Sequence, residues 1–130
     1  MSRSAARLAF LLSAGMTACG GGGASAGEAL FETNCAMCHG EDARGGGPMA
    51  ASLPVQPPSI LEHLGHHTQD QLVGLIRDGV PPAMPPAPLT EEEIRLVIDY
   101  AWTLVPESQV EALRAMRDQM EAAQGSAPAN

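Results

Sequence analysis

Cys35, Cys38 and His39 stand together in the run Cys35-Ala36-Met37-Cys38-His39, and their types and spacing carry the first chemical argument. Two thiols three positions apart reach one edge of a flat macrocycle, and the adjoining imidazole offers a nitrogen to a metal at its centre. C-x-x-C-H is the attachment pattern of a c-type haem, in which both sulfurs add to porphyrin vinyl groups and the histidine ligates the iron. C-x-x-C alone is ambiguous, because redox dithiols and zinc half-sites share it. The histidine separates these readings, and a zinc ribbon would need a second cysteine pair where this sequence has only Cys19.

A second iron ligand is expected from the segment Val80-Pro81-Pro82-Ala83-Met84-Pro85-Pro86-Ala87-Pro88-Leu89. So many prolines exclude a helix interior or a central strand, and they stiffen the loop. Met84 sits in its middle, and a thioether held there would favour reduced iron and raise the potential. Met49, Met116 and Met120 read instead as fillers of irregular core space, and Met37 lies inside the attachment motif, on the wrong side of the ring. Gly40 to Pro48 is a glycine-rich loop with no GK[ST] after it, so it is not a phosphate loop. Its expected task is to bring a carbonyl to the other nitrogen of His39, which fixes the ring; Pro48 or the residue next to it is placed to provide it.

Helices must position these groups. The first is expected from about Ala26 to Ala36, with Ser25 and Glu28 as a capping box and Leu30, Phe31, Cys35 and Cys38 sharing a face. Gly27 either marks a close approach of another helix or ends the preceding flexible stretch. Met49 to Leu53 offers a short turn, after which Pro54, Pro57 and Pro58 predict irregular backbone up to Leu64. Thr68 and Gln71 cap a helix over Gln69 to Asp78 that stops at Gly79. Thr90 and Glu93 cap another that ends near Leu104, before Pro106, with Ile94, Val97, Ile98 and Ala101 on one face. Ser108 and Glu111 suggest a final amphipathic helix over 107–123, which either folds back on the domain or presents a face to a partner; the tail from Gly125 to Asn130 is expected to be disordered.

The expected organisation is a signal peptide over 1–18, a glycine-rich tether over 19–26, a haem domain over 27–105 and a C-terminal extension over 106–130. Arg3, Arg7 and the apolar run Leu8 to Leu12 read as an export signal, too short to span a bilayer as a mature helix. Met16-Thr17-Ala18-Cys19 resembles the lipobox of bacterial lipoproteins, with Met16 in place of the usual leucine. Cys19 is thereby the expected lipid anchor, and a free thiol after ordinary cleavage is the alternative. The chain has 130 residues and a net charge of −8; loss of Arg3 and Arg7 with the signal takes this to −10, with no lysine anywhere. Nucleic acid and anionic lipid are therefore excluded as partners, whereas a redox protein with a basic docking face fits. A single domain of this size has a marginal core, and a porphyrin would supply the apolar mass that few aromatic side chains provide.

Gly27-x-x-Leu30-Phe31, Cys35-Ala36-x-Cys38-His39-Gly40, Gly47-Pro48, Gly79, Met84-Pro85 and Leu89-Thr90-x-x-Glu93-Ile94 leading to Tyr100 together resemble the small class I c-type cytochromes. The resemblance covers Gly27 to Val105. It implies an all-α cytochrome c fold, with three main helices and irregular loops wrapped around one covalent haem c. The first and last of these helices would cross at Gly27 and Phe31 against Val97 and Tyr100. It also implies a Pro48 carbonyl on His39, export to the periplasmic side of a bacterial membrane, and single-electron transfer without a substrate turned over.

His63, His66 and His67 are not required by that pattern. They read as surface histidines in a polar loop, with bis-histidine haem ligation and peripheral metal binding as alternatives. The expected function is an electron carrier or tethered relay with His39 and Met84 on the iron. The alternatives are a haem subunit docked in a dehydrogenase or oxidase, and a small haem peroxidase or gas sensor, which would need the position of Met84 to be open.

Overall fold

The computed structural model describes residues 22–125, so Cys19 and the export signal lie outside the described residues. Among the described residues six α-helices follow one another: α1 (Gly22–Asn34), α2 (Ala36–His39), α3 (Ile60–His66), α4 (Gln69–Asp78), α5 (Glu91–Thr103) and α6 (Glu107–Gly125), with a 3-10 turn at Ala50–Ser52. The described residues contain no strand, only an isolated antiparallel bridge between Val80 and Met84. The architecture is the all-α cytochrome c fold.

Capping fixes α4 and α5 where the sequence places them. Thr68 accepts from the Gln71 amide while the Gln71 side chain accepts from the Thr68 amide, and Thr90 and Glu93 repeat the arrangement. The Thr90 amide and then its hydroxyl hold the Glu93 carboxyl below its ordinary range, because both bond its charged form. Two other capping expectations are corrected. α1 starts at Gly22, which puts Ser25 and four residues of the expected tether inside the helix. α6 starts at Glu107, directly after Pro106, whose carbonyl accepts from the Gln109 amide; Ser108 is therefore within its first turn.

α1 crosses α5 at Gly27. A Cβ there would run into the Leu96 carbonyl and lie 3.0 Å from Tyr100 Cβ, so the glycine marks a close approach of two backbones. One turn on, Phe31 is fully buried and its ring stands 5.5 Å from that of Tyr100, tilted by 53°, an arrangement aromatic pairs favour. Around Phe31 the core gathers Leu61, Leu64, Leu72, Val73, Ile94, Val97, Ile98 and Ala101.

α3 replaces backbone expected to be irregular as far as Leu64. Its buried Leu61 and Leu64 face the core, and its buried Gly65 lets Leu113 of α6 pack directly on the backbone. α6 thus folds back on the domain. Arg114 and Arg117 also lie over the Trp102 ring of α5, at 5.7 and 5.4 Å, within cation–π range.

Candidate functional site

Cys35 closes α1 and opens α2. Its amide still bonds the Phe31 carbonyl at 2.8 Å, and its own carbonyl accepts from His39 at 2.9 Å, so the motif is wound as one helical turn. Helical spacing puts Cys35 and Cys38 on the same side, where both are free and half-buried. Burial, followed by the neighbouring Cys38, pushes the Cys35 thiol up to about 11. Reactive cysteines of dithiol oxidoreductases have depressed values; Cys35 is shifted the opposite way.

The glycine-rich loop returns along the C-terminal end of α2. Gly45 donates to the His39 carbonyl at 2.7 Å, Gly47 to Cys38 at 3.1 Å and Met49 to Met37 at 2.9 Å, which satisfies carbonyls a short helix leaves open. Gly47 has no room for a Cβ, which would meet the carbonyl oxygens of Ala36 and Met37 at 2.6 and 2.5 Å.

The carbonyl facing His39 is not that of Pro48. His39 Nδ1 pairs with the Pro58 carbonyl at 3.4 Å. The loop itself supplies the reason for this correction. Gly47 and Met49 are bound to the α2 carbonyls, which keeps the exposed Pro48 between them. The segment Pro57–Ile60 instead lies along Ala43–Gly45: Ile60 donates to Ala43 at 2.9 Å, and Gly45 packs against the Pro57 carbonyl where a Cβ would overlap it. A carbonyl only accepts, so Nδ1 carries the proton and Nε2 keeps its lone pair free for a metal. Burial chiefly lowers the His39 pKa, the Pro58 carbonyl opposes this, and His63 adds to the lowering; the net effect favours the neutral ring.

Met84 is placed on the loop between α4 and α5. Its amide donates to the Val80 carbonyl at 2.9 Å and its carbonyl accepts from Val80 at 2.8 Å, while Ala87 donates to Ile76 at 3.0 Å. Gly79 has a φ of 72° and would overlap the Met84 carbonyl if it carried a Cβ. The loop is thus tied at both ends, with the Met84 side chain half-buried. The structure brings Cys35, Cys38, His39 and Pro58 together; no hydrogen bond joins Met84 to them.

The donor set fits a covalently held haem: two unpaired thiols on one helical side, and one imidazole with its distal nitrogen free. Ser59 Oγ, next to Pro58, is buried without a hydrogen-bond partner. Among the described residues no group of three or more His, Cys, Asp and Glu could hold a metal ion by itself. Beyond the Pro57-Pro58 pair, no feature of the sequence pointed to Pro58. The family model described as cytochrome C oxidase, cbb3-type, subunit III matches residues 22–100. No curated protein and no solved structure matches the chain.

Proposed function

Since the chain belongs to the cbb3-type cytochrome c oxidase subunit III family, and is thus a c-type cytochrome with covalent haem c, we propose that it is a single-electron carrier with His39 and Met84 as axial ligands. The haem supplies one-electron chemistry, its iron passing between ferric and ferrous states. Cys35 and Cys38 hold the ring covalently. His39 presents Nε2 to the iron while Pro58 holds Nδ1 and keeps the imidazole basic. Met84, on its tied loop, supplies a soft donor that favours the ferrous state and blocks entry of peroxide or diatomic gases. The observation carrying this reading is the helical turn Cys35–His39 with its imidazole oriented by Pro58.

No helix among the described residues is long and apolar enough to cross a membrane, and c-type cytochromes are generally exported to the periplasmic side. Lipidation of Cys19 would hold the protein at the membrane without a span. A second reading, residence as a haem subunit in an oxidase or dehydrogenase, draws support from α6, which has no buried residue and leaves Met116 and Met120 37% and 38% exposed. Co-elution with a larger complex after mild detergent extraction would favour it over a free carrier.

The experiment is a spectrum paired with a denaturing, reducing gel. The wild type should keep its haem stain on the gel and show, when oxidised, the weak long-wavelength band of sulfur on ferric iron. Met84→Ala should lose that band, fall in potential and bind carbon monoxide, while Met116→Leu and Met120→Leu do none of this. A wild type that lacks the band and takes up carbon monoxide would replace the carrier with a sensor or peroxidase.

A further inference from the structure

Among the described residues two ion pairs join α4 to α5, one at each end of α4. Arg95 of α5 reaches Asp70, in the first turn of α4, at 3.0 Å. Arg77, in the last turn of α4, reaches Glu91, the first residue of α5, also at 3.0 Å. This second pair closes the base of the loop that carries Met84. We propose that Arg77 is a positioning residue for Met84: its clasp on Glu91 holds the loop shut and slows departure of the thioether from the iron. The inference rests on Met84 as the axial ligand.

Arg77 is oriented before it meets Glu91. The Asp78 carboxylate accepts two parallel bonds, from Arg77 Nε at 2.9 Å and Nη2 at 3.0 Å, which fixes the plane of the guanidinium and leaves Nη1 for Glu91. A lysine cannot make such a fork. Arg77 and Glu91 also sit at the helix ends that favour their charges, a cation in the last turn of α4 and an anion in the first turn of α5. Asp78 is at the wrong end by the same rule, and its fork to Arg77 offsets that.

The backbone ties of the loop converge on the same turn. Ala87 donates to the Ile76 carbonyl, one residue before Arg77, and Met84 pairs with Val80 in both directions, two residues after Asp78. Both limbs of the loop therefore hang from residues 76–80, and Arg77 adds a charged tie to the backbone ones. Arg77 and Glu91 are exposed, so the clasp tunes ligand exchange without deciding whether the chain folds.

The test uses the full-length haem-loaded protein. Imidazole added to the ferric form displaces the thioether, and the rate is read from loss of the long-wavelength sulfur band. Arg77→Gln should raise that rate about two- to fivefold, the range an exposed pair can supply, and should speed hydrogen exchange at the Ala87 and Met84 amides of the ferrous form. Glu91→Gln should act in the same direction, and it serves as the second variant should Arg77→Gln lose its fold. The double variant should exchange no faster than Arg77→Gln, because the same interaction is already lost. Arg95→Gln, which removes the other pair between α4 and α5, should leave both readouts at wild-type values. Unchanged exchange in Arg77→Gln, or equal acceleration in Arg95→Gln, would overturn the clasp. A wild type without the sulfur band would overturn the ligand assignment itself.

Discussion

Gly45 is the residue on which the orientation of His39 depends most directly. Its φ of 90° suits glycine alone among ordinary residues, and its close contact with the Pro57 carbonyl carries Pro58 to the imidazole. Gly45→Ala should therefore cost about 1–3 kcal/mol by overpacking and also raise the haem potential, because a histidine without its carbonyl partner is a weaker donor to ferric iron. Thermal melting and a redox titration check both parts, and a destabilised variant with an unmoved potential would detach Pro58 from the iron. His63 carries a pH prediction. Its pKa is lowered from 6.5 in the folded chain, so the unfolded chain binds the extra proton first; its contribution to stability is whole above that value and is lost as pH falls toward the lowered one. Melting temperature should fall on acidification through this window, and less steeply in His63→Asn. At this scale Cys35, Cys38 and His39 were legible because bond lengths impose their spacing. Pro58 was not, because it reaches His39 across 19 positions that only the folded loop brings together.

Gly27 and Gly74 show how differently two helical glycines behave. A methyl group at Gly27 meets the backbone carbonyl of Leu96, which cannot swing away, whereas nothing lies within 4 Å of the corresponding position at Gly74. Gly27→Ala gains about 1 kcal/mol of helix propensity but loses about 1–3 kcal/mol to overpacking, so it should lower stability. Gly74→Ala keeps only the gain and should raise stability by up to about 1 kcal/mol. Denaturant unfolding of both variants decides this, and a stabilised Gly27→Ala would mean that α1 and α5 can separate at little cost. α4 and α5 were legible because their capping boxes combine with apolar periodicity. α3 was hidden by Pro54, Pro57 and Pro58, which end just before its buried Leu61 and Leu64. Serine followed by glutamate three positions later misled at Ser25 and Ser108, since such a pair is also compatible with a helix already under way.

Across the whole molecule, acidic side chains outnumber basic ones by 15 to 7, and several arginines are occupied: Arg77 bonds Asp78 and Glu91, and Arg95 bonds Asp70. The negative field is thus left to favour a basic partner, with an association rate that falls as salt rises. Cys19→Ala should move the protein from the membrane to the soluble fraction with its haem spectrum unchanged; persistence at the membrane would assign retention to another contact. The early start of α1 at Gly22 bears on what such an anchor permits. Only Gly20 and Gly21 separate Cys19 from the helix, and three chain steps extend about 10 Å at most. A lipidated chain would be moored against the headgroups with little room to swing, so it would meet its partners by lateral diffusion in the plane of one bilayer, and a protein moored to the opposing membrane across a wide gap would stay out of reach.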